Sequence, residues 1–311
     1  MRREDNKKFG LTDVLMLLTI LIWAANFSVV KVALREFSPH GFNGLRLIMT
    51  SFLLLLWLWA SGERFTVVRR DLWKLLVIGF FGNTVYQILF IQGIHLSTAS
   101  NAALILSMTP IFVALISSLL KYEKIHWGGW LGIFISFFGL YLVISKQNGG
   151  LHFSSEYLRG DLMVFAGMIL WASYTVFSKP FLNRISPLKW TTVTMVFGTI
   201  FYLPIAAGEI ARISWPEISL RAWASLLYSA LFSLVIGIVI WYYSVKKVGN
   251  SKTAIYNNLT PVFAAFFAFS FLGERISSFQ AVGALIILAG VYLTRSGYRY
   301  FIRRERNSLQ S

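Results

Sequence analysis

Between Arg221 and Lys246 the chain runs for 24 residues without a charged side chain, and several other runs of about 18 or more residues are equally free of charge. A soluble domain cannot cover that much apolar surface. About 20 apolar residues wound as a helix, in contrast, cross a hydrocarbon core about 30 Å thick with every backbone group bonded internally. Apolar residues make up 56% of the chain and charged residues only 14%, which extends the conclusion from one segment to the whole molecule. The sequence therefore predicts an all-α integral membrane protein. Ten spans are expected: Thr12 to Ala33, Pro39 to Trp59, Leu72 to Ile94, Thr98 to Leu120, Trp127 to Ile144, Gly160 to Ser178, Pro187 to Ala207, Leu220 to Val245, Ser251 to Leu272 and Phe279 to Thr294. The first is too long for a cleavable signal, lacks a small-residue cleavage site and is followed at once by another span, so it is expected to remain as the first helix.

The ten spans fall into two copies of one pattern. Thr109-Pro110, Glu123, Gly132, Gly139 and Tyr141-Leu142 recur as Thr260-Pro261, Glu274, Gly283, Gly290 and Tyr292-Leu293, at a constant offset of 151. Upstream, Trp23-Ala24, Lys31 and Ser38-Pro39 recur as Trp171-Ala172, Lys179 and Ser186-Pro187, at an offset of 148. Residues 12–144 and 160–294 are thus two five-helix repeats, joined by a linker expected over Ser145 to Arg159. Five is odd, so the second copy is predicted to lie inverted relative to the first. Two such repeats meeting in a membrane are how many secondary transporters form a substrate path.

The net charge of +16 first suggests nucleic acid, but the basic residues sort by side instead. With a cytoplasmic N-terminus, only Lys31, Arg35, Arg46, Lys146, Arg159, Arg212, Arg221 and Arg275 fall toward the outside, leaving 21 of 29 on the inner side. By the positive-inside rule both termini are expected in the cytoplasm, in a cell-membrane protein that binds lipid bilayer and no nucleic acid.

The chemistry available inside the membrane is narrow. With no cysteine there is no disulfide, thiol catalysis or Cys metal site. All thirteen carboxylates and all four histidines fall in tails, loops or span ends, which argues against a midplane proton relay, a metal centre or a hydrolytic site. No cofactor or metal is expected. Polar work passes to amides, hydroxyls and aromatics, and the pocket is expected to be uncharged. Asn26 in the first span and Tyr86 and Gln87 in the third, where Asn83, Gln87 and Phe90 form one helical stripe, are candidates for binding substrate. Trp171, Tyr174 and Trp241 lie deep, away from interfacial belts, with Asn257 and Asn258 in the ninth span. Each of these has the alternative role of interhelical glue or packing. Pro110 and Pro261 each remove a backbone donor near mid-span and are expected to break their helices. Lys31 and Lys179 read as snorkelling anchors or as paired gate charges. Arg46, about 10 Å into its span, requires a protein or water partner.

The runs Ile22-Trp-Ala-Ala-Asn-Phe27, Leu45-Arg-Leu-Ile48, Ala99-Ser100-Asn101 with Thr109-Pro110, and Leu272-Gly273-Glu274-Arg275 resemble the pattern of the EamA family of drug/metabolite transporters. The resemblance covers essentially the whole chain. One departure is Lys121-Tyr122, which stand where Leu-Gly is usual before the first Glu. The resemblance implies ten helices in two inverted repeats, a central cavity and export of small metabolites, often amino acids. Composition and resemblance together predict a non-enzymatic secondary transporter of a small-molecule substrate, as monomer or homodimer. The alternatives are a carrier of phosphorylated sugars or nucleotide sugars and, from another class, a membrane-embedded enzyme.

Overall fold

The computed structural model describes residues 10–65, 68–97, 102, 105–123, 125, 127–145, 155–263, 278, 281–283 and 285–294. Every element among these residues is helical. Among the described residues six helices are long and apolar enough to cross a membrane: α1 (Leu11–Ala33), α2 (Pro39–Ala60), α3 (Arg69–Leu96), α6 (within Ser155–Leu182), α7 (Pro187–Ala211) and α8 (Leu220–Val248). The remaining predicted spans hold α4 (Thr109–Leu119), α5 (Trp127–Ser145), α9 (Asn250–Ala254) and an apolar helical stretch, Ala281–Thr294. The linker is shorter than the sequence suggests, because α6 begins at Ser155. Its first turns are anchored where Ser97 Oγ donates to Asp161 Oδ1. Ala99-Ser100-Asn101, Lys124, Glu274 and Arg275 lie outside the described residues.

Three helices change their winding at mid-depth. α3 passes through a π-helical segment at Phe80–Val85, and α8 does so at Ser229–Gly237. At an offset of 151 the first segment falls inside the second, so the two repeats are widened at the same place. Neither segment contains proline; the widening is tied to packing. Thr84 Oγ1 donates to the Gly198 carbonyl at 2.8 Å, and Trp23 Nε1 donates to the Ser233 carbonyl at 3.1 Å. The third change follows α9, where a 3₁₀ segment, Ile255–Leu259, leads into Pro261.

Helices equivalent in the two repeats pack on each other. α2 and α7 run antiparallel, with Gly41 beside Glu209 and Gly44 beside Ala206. Ser51 Oγ and Thr199 Oγ1, which are equivalent at offset 148, meet at 2.8 Å. α5 packs antiparallel to the stretch Ala281–Thr294. A Cβ on Gly132 would sit 2.7 Å from the Gly290 carbonyl, and one on Gly139 would sit 2.7 Å from the Gly283 carbonyl. Only glycines permit that approach, and the two pairs exchange partners as a two-fold relation requires. Ser136 Oγ also donates to the carbonyl of its equivalent, Ile287, at 3.5 Å.

The ends of the helices are tied by the same rule. After α1, Glu36 accepts from the Ser219 amide at 2.7 Å and from its hydroxyl at 2.8 Å, holding the start of α8. These hydrogen bonds hold the exposed Glu36 carboxyl below the ordinary glutamate pKa. After α6, Arg184, equivalent to Glu36, donates to Asp71 at 2.9 Å and holds the start of α3. Glu123 closes one end of the bundle. Its Oε1 accepts from the Asn250 amide at 2.5 Å and from Lys179 Nζ at 3.1 Å, while its Oε2 accepts from the Ser251 hydroxyl at 2.7 Å. The carboxylate thereby caps α9 and pairs with Lys179 across to α6. Gly249 is required at this corner. Its φ is +95°, and a Cβ there would lie 2.6 Å from Glu123 Oε1.

Candidate functional site

A cavity lies where both repeats contribute walls, lined from α1, α2, α3, α6 and α8 and by the residues beside the two prolines. Its volume is about 90 Å³, several times the roughly 10–15 Å³ that admits one water. One wall is aromatic. The Tyr86 and Trp171 rings lie 5.4 Å apart, Trp171 and Trp23 meet edge to face at 5.9 Å, and Phe90 continues the wall 5.6 Å from Tyr86. Trp23 and Trp171 are equivalent at offset 148, so the two repeats touch at this wall as well. Among the predicted residues, Asn26, Tyr86, Gln87, Trp171 and Asn257 line the cavity.

Tyr174, Trp241 and Asn258 do not line it; they stand one layer behind. Tyr174 stacks on Trp190 at 5.6 Å, its hydroxyl meeting Thr194 Oγ1 at 2.6 Å and accepting from Asn83 Nδ2 at 3.2 Å. Trp241 is fully buried, donates to Thr175 Oγ1 at 3.3 Å and packs 5.3 Å from Trp23. Both hold the lining tryptophans in place. Asn258 is buried beside Asn257 but faces away, because consecutive residues cannot share one helix face.

Both prolines flank the cavity. The turn at Ser107-Met108 precedes α4, which starts at Thr109 with Pro110 in its first turn. The Leu106 carbonyl, left without a partner by Pro110, accepts from Thr109 Oγ1. Thr109 and Thr260, which directly precede the two prolines, both line the cavity.

The expectation of an uncharged pocket is overturned by Arg46, which lines the cavity and is only 1% exposed. Its Nη2 donates to Asn43 Oδ1 at 2.5 Å and to Gln87 Oε1 at 2.7 Å, and its Nη1 donates to Ser229 Oγ at 3.0 Å. The guanidinium also lies 5.5 Å from the centre of the Phe42 ring. All these partners are neutral. Nε has no acceptor. An arginine at mid-membrane costs roughly 2.5–3.5 kcal/mol on insertion scales, so its burial here is sustained by this set of amides and hydroxyl. The sequence marked Arg46 as needing a partner but could not reveal that three helices supply them.

Among the described residues no group of three His, Asp or Glu is placed to hold a metal ion. Three carboxylates at helix ends are buried rather than solvated: Asp13, Asp71 and Asp161. Asp13 accepts from the Tyr256 hydroxyl, tying α1 to the 3₁₀ segment after α9.

The comparisons with known proteins agree with this architecture. An Archaeoglobus fulgidus protein named as an uncharacterized transporter is 33% identical over 287 residues, covering 91% of this chain and 96% of its own length. Bacillus subtilis YyaM, named likewise, is 29% identical over 91% of this chain and 93% of its own. A Streptantibioticus cattleyicolor protein named as a probable terminal-alkyne amino-acid exporter is 28% identical over 89% of this chain and 91% of its own. A crystal structure superposes with a TM-score of 0.78 over 94% of this chain and 99% of the other at 18% identity, a likeness of fold. The EamA-like transporter family profile matches residues 10–145 and 158–296, one match in each repeat, and the chain belongs to that family.

Proposed function

We propose that this protein exports amino acids across the cytoplasmic membrane, by alternating access between two inverted five-helix repeats. The observation that carries the reading is the cavity itself. It lies where the repeats meet, its wall includes the equivalent pairs Trp23/Trp171 and Thr109/Thr260, and both π segments stand beside it. Contacts between equivalent residues on antiparallel helices, such as Ser51 with Thr199, support the inverted arrangement. A path built on such an axis can be opened from either end by rocking one repeat against the other.

The lining suits a small solute with both polar and apolar parts. Amides at Asn26 and Asn257 offer donors and acceptors, and the aromatic wall takes apolar surface. The Streptantibioticus cattleyicolor relative named as a probable terminal-alkyne amino-acid exporter supports the substrate class. Arg46, the one cation in the wall among the described residues, suits a single negative charge better than a phosphate dianion, so the phosphorylated-sugar alternative is not favoured. The small-molecule substrate and the bilayer are its partners, with both termini in the cytoplasm. The direct test is a host strain that overproduces the protein and is loaded with radiolabelled amino acids. Faster release of label than from the empty-vector strain, for at least one amino acid, is expected; identical release across all twenty contradicts the reading.

A further inference from the structure

We propose that Arg46 is the counter-ion for a substrate carboxylate: the cavity binds solutes through a carboxylate group that sits against this guanidinium. The inference rests on the transporter reading above and adds the chemical group recognised.

Arg46 is a buried cation with no anion beside it among the described residues. Among the described residues no carboxylate pairs with it, and its three hydrogen-bond acceptors are an amide of α2, an amide of α3 and a hydroxyl of α8. A guanidinium carries five N–H donors. Three are used, and the Nε donor has no acceptor. Buried charges in proteins are paired, and an ionisable side chain inside a membrane that faces a cavity marks a substrate path. The three neutral acceptors fix the plane and direction of the guanidinium without neutralising it. Such a group is preorganised for an incoming carboxylate, which neutralises the charge and can accept from a donor still unused.

The same wall offers a place for the rest of an amino acid. Asn26 Oδ1 is a buried acceptor without a partner, on the wall that Arg46 also lines. The indole and phenol faces of Trp23, Trp171 and Tyr86 attract an ammonium without adding a negative charge. Among the described residues no carboxylate lines the cavity. Recognition is therefore polarised, with a formal charge for the substrate's anionic end only.

The corresponding position in the second repeat, at offset 148, is Thr194, whose hydroxyl meets Tyr174. The second repeat thus has no cation at that position. Arg46 itself bridges the two repeats, from α2 to Gln87 of α3 in the first and to Ser229 of α8 in the second.

The test is calorimetric titration of purified full-length protein with the twenty standard L-amino acids, their α-amides and the matching deaminated acids. At least one amino acid is expected to bind, its α-amide roughly tenfold or more weakly, equal to about 1.4 kcal/mol or more. Arg46→Gln is expected to abolish the difference between acid and amide, and Arg46→Lys to retain part of it. Should Arg46→Gln fail to fold, the acid and amide comparison on the wild-type protein still decides. An amide that binds as tightly as its acid overturns the carboxylate subsite and leaves the amino-acid reading standing. Binding of deaminated acids alone, over their own amides, supports the subsite and overturns the amino-acid reading. If no carboxylate of either kind binds, both are overturned.

Discussion

Trp171 and Tyr174 lie less than one turn apart on α6, yet they do different work. Trp171 presents its ring to the cavity, whereas Tyr174 is stacked on Trp190 with its hydroxyl bonded to Thr194 and Asn83. Tyr174→Phe is therefore expected to lower the melting temperature, through about 1–3 kcal/mol for the unsatisfied partners. Substrate affinity should stay within about twofold. Asn257→Ala is expected to do the reverse, weakening affinity roughly tenfold or more while the melting temperature holds. Thermal unfolding and calorimetry on the two variants separate the roles, and a Tyr174→Phe variant that keeps its stability but loses affinity would move Tyr174 into the binding wall. Trp171→Ala is a poorer probe, since the ring also packs against Trp23, Tyr86, Trp241 and Tyr242. Its loss costs stability on the order of 3–5 kcal/mol. What the sequence revealed at this scale was residue type and depth. Which side of a buried ring faces the cavity is decided by neighbours far away in the chain, as with Asn83 and Tyr174, 91 positions apart.

Winding of single helices is where sequence periodicity fails most instructively. Asn83, Gln87 and Phe90 form one stripe on a regular 3.6-residue helix, but the π segment at Phe80–Val85 intervenes. Asn83 turns to Tyr174, while Gln87 and Phe90 line the cavity. No proline or unusual residue announces that change; it is tied to the contact of α3 with α7. The proline breaks, in contrast, are legible because a missing N–H has a local consequence. Pro261→Ala restores a donor at the end of the 3₁₀ segment and should let α9 continue as a regular helix past the cavity. Transport is expected to fall further than folded yield, measured as initial efflux rate per mole of monodisperse protein. Equal falls in both would reduce the break to a packing feature.

At the scale of the whole molecule, duplication was plain in the sequence and the cavity was not. Repeated Thr-Pro, Glu and Gly positions establish two copies, but only the fold brings Ser51 to Thr199, Trp23 to Trp171 and Ser136 to Ile287. The uncharged-pocket expectation failed here because a charge seven residues inside a span reads as an oddity until its partners are assembled. Orientation is tested by the absence of cysteine, which makes any introduced thiol unique. A Cys at position 148 is expected to react with a membrane-impermeant maleimide in intact cells, and a Cys at position 183 or 308 only after permeabilisation. The opposite pattern contradicts cytoplasmic termini. The most direct measurement of the central claim, that the cavity between the repeats is an amino-acid path, is counterflow in proteoliposomes. Vesicles loaded with unlabelled amino acid and diluted into trace labelled amino acid should accumulate label transiently above equilibrium with wild-type protein, and markedly less with Asn257→Ala. Uptake no faster than in protein-free vesicles for every amino acid, or wild-type counterflow in the Asn257→Ala variant, would contradict it.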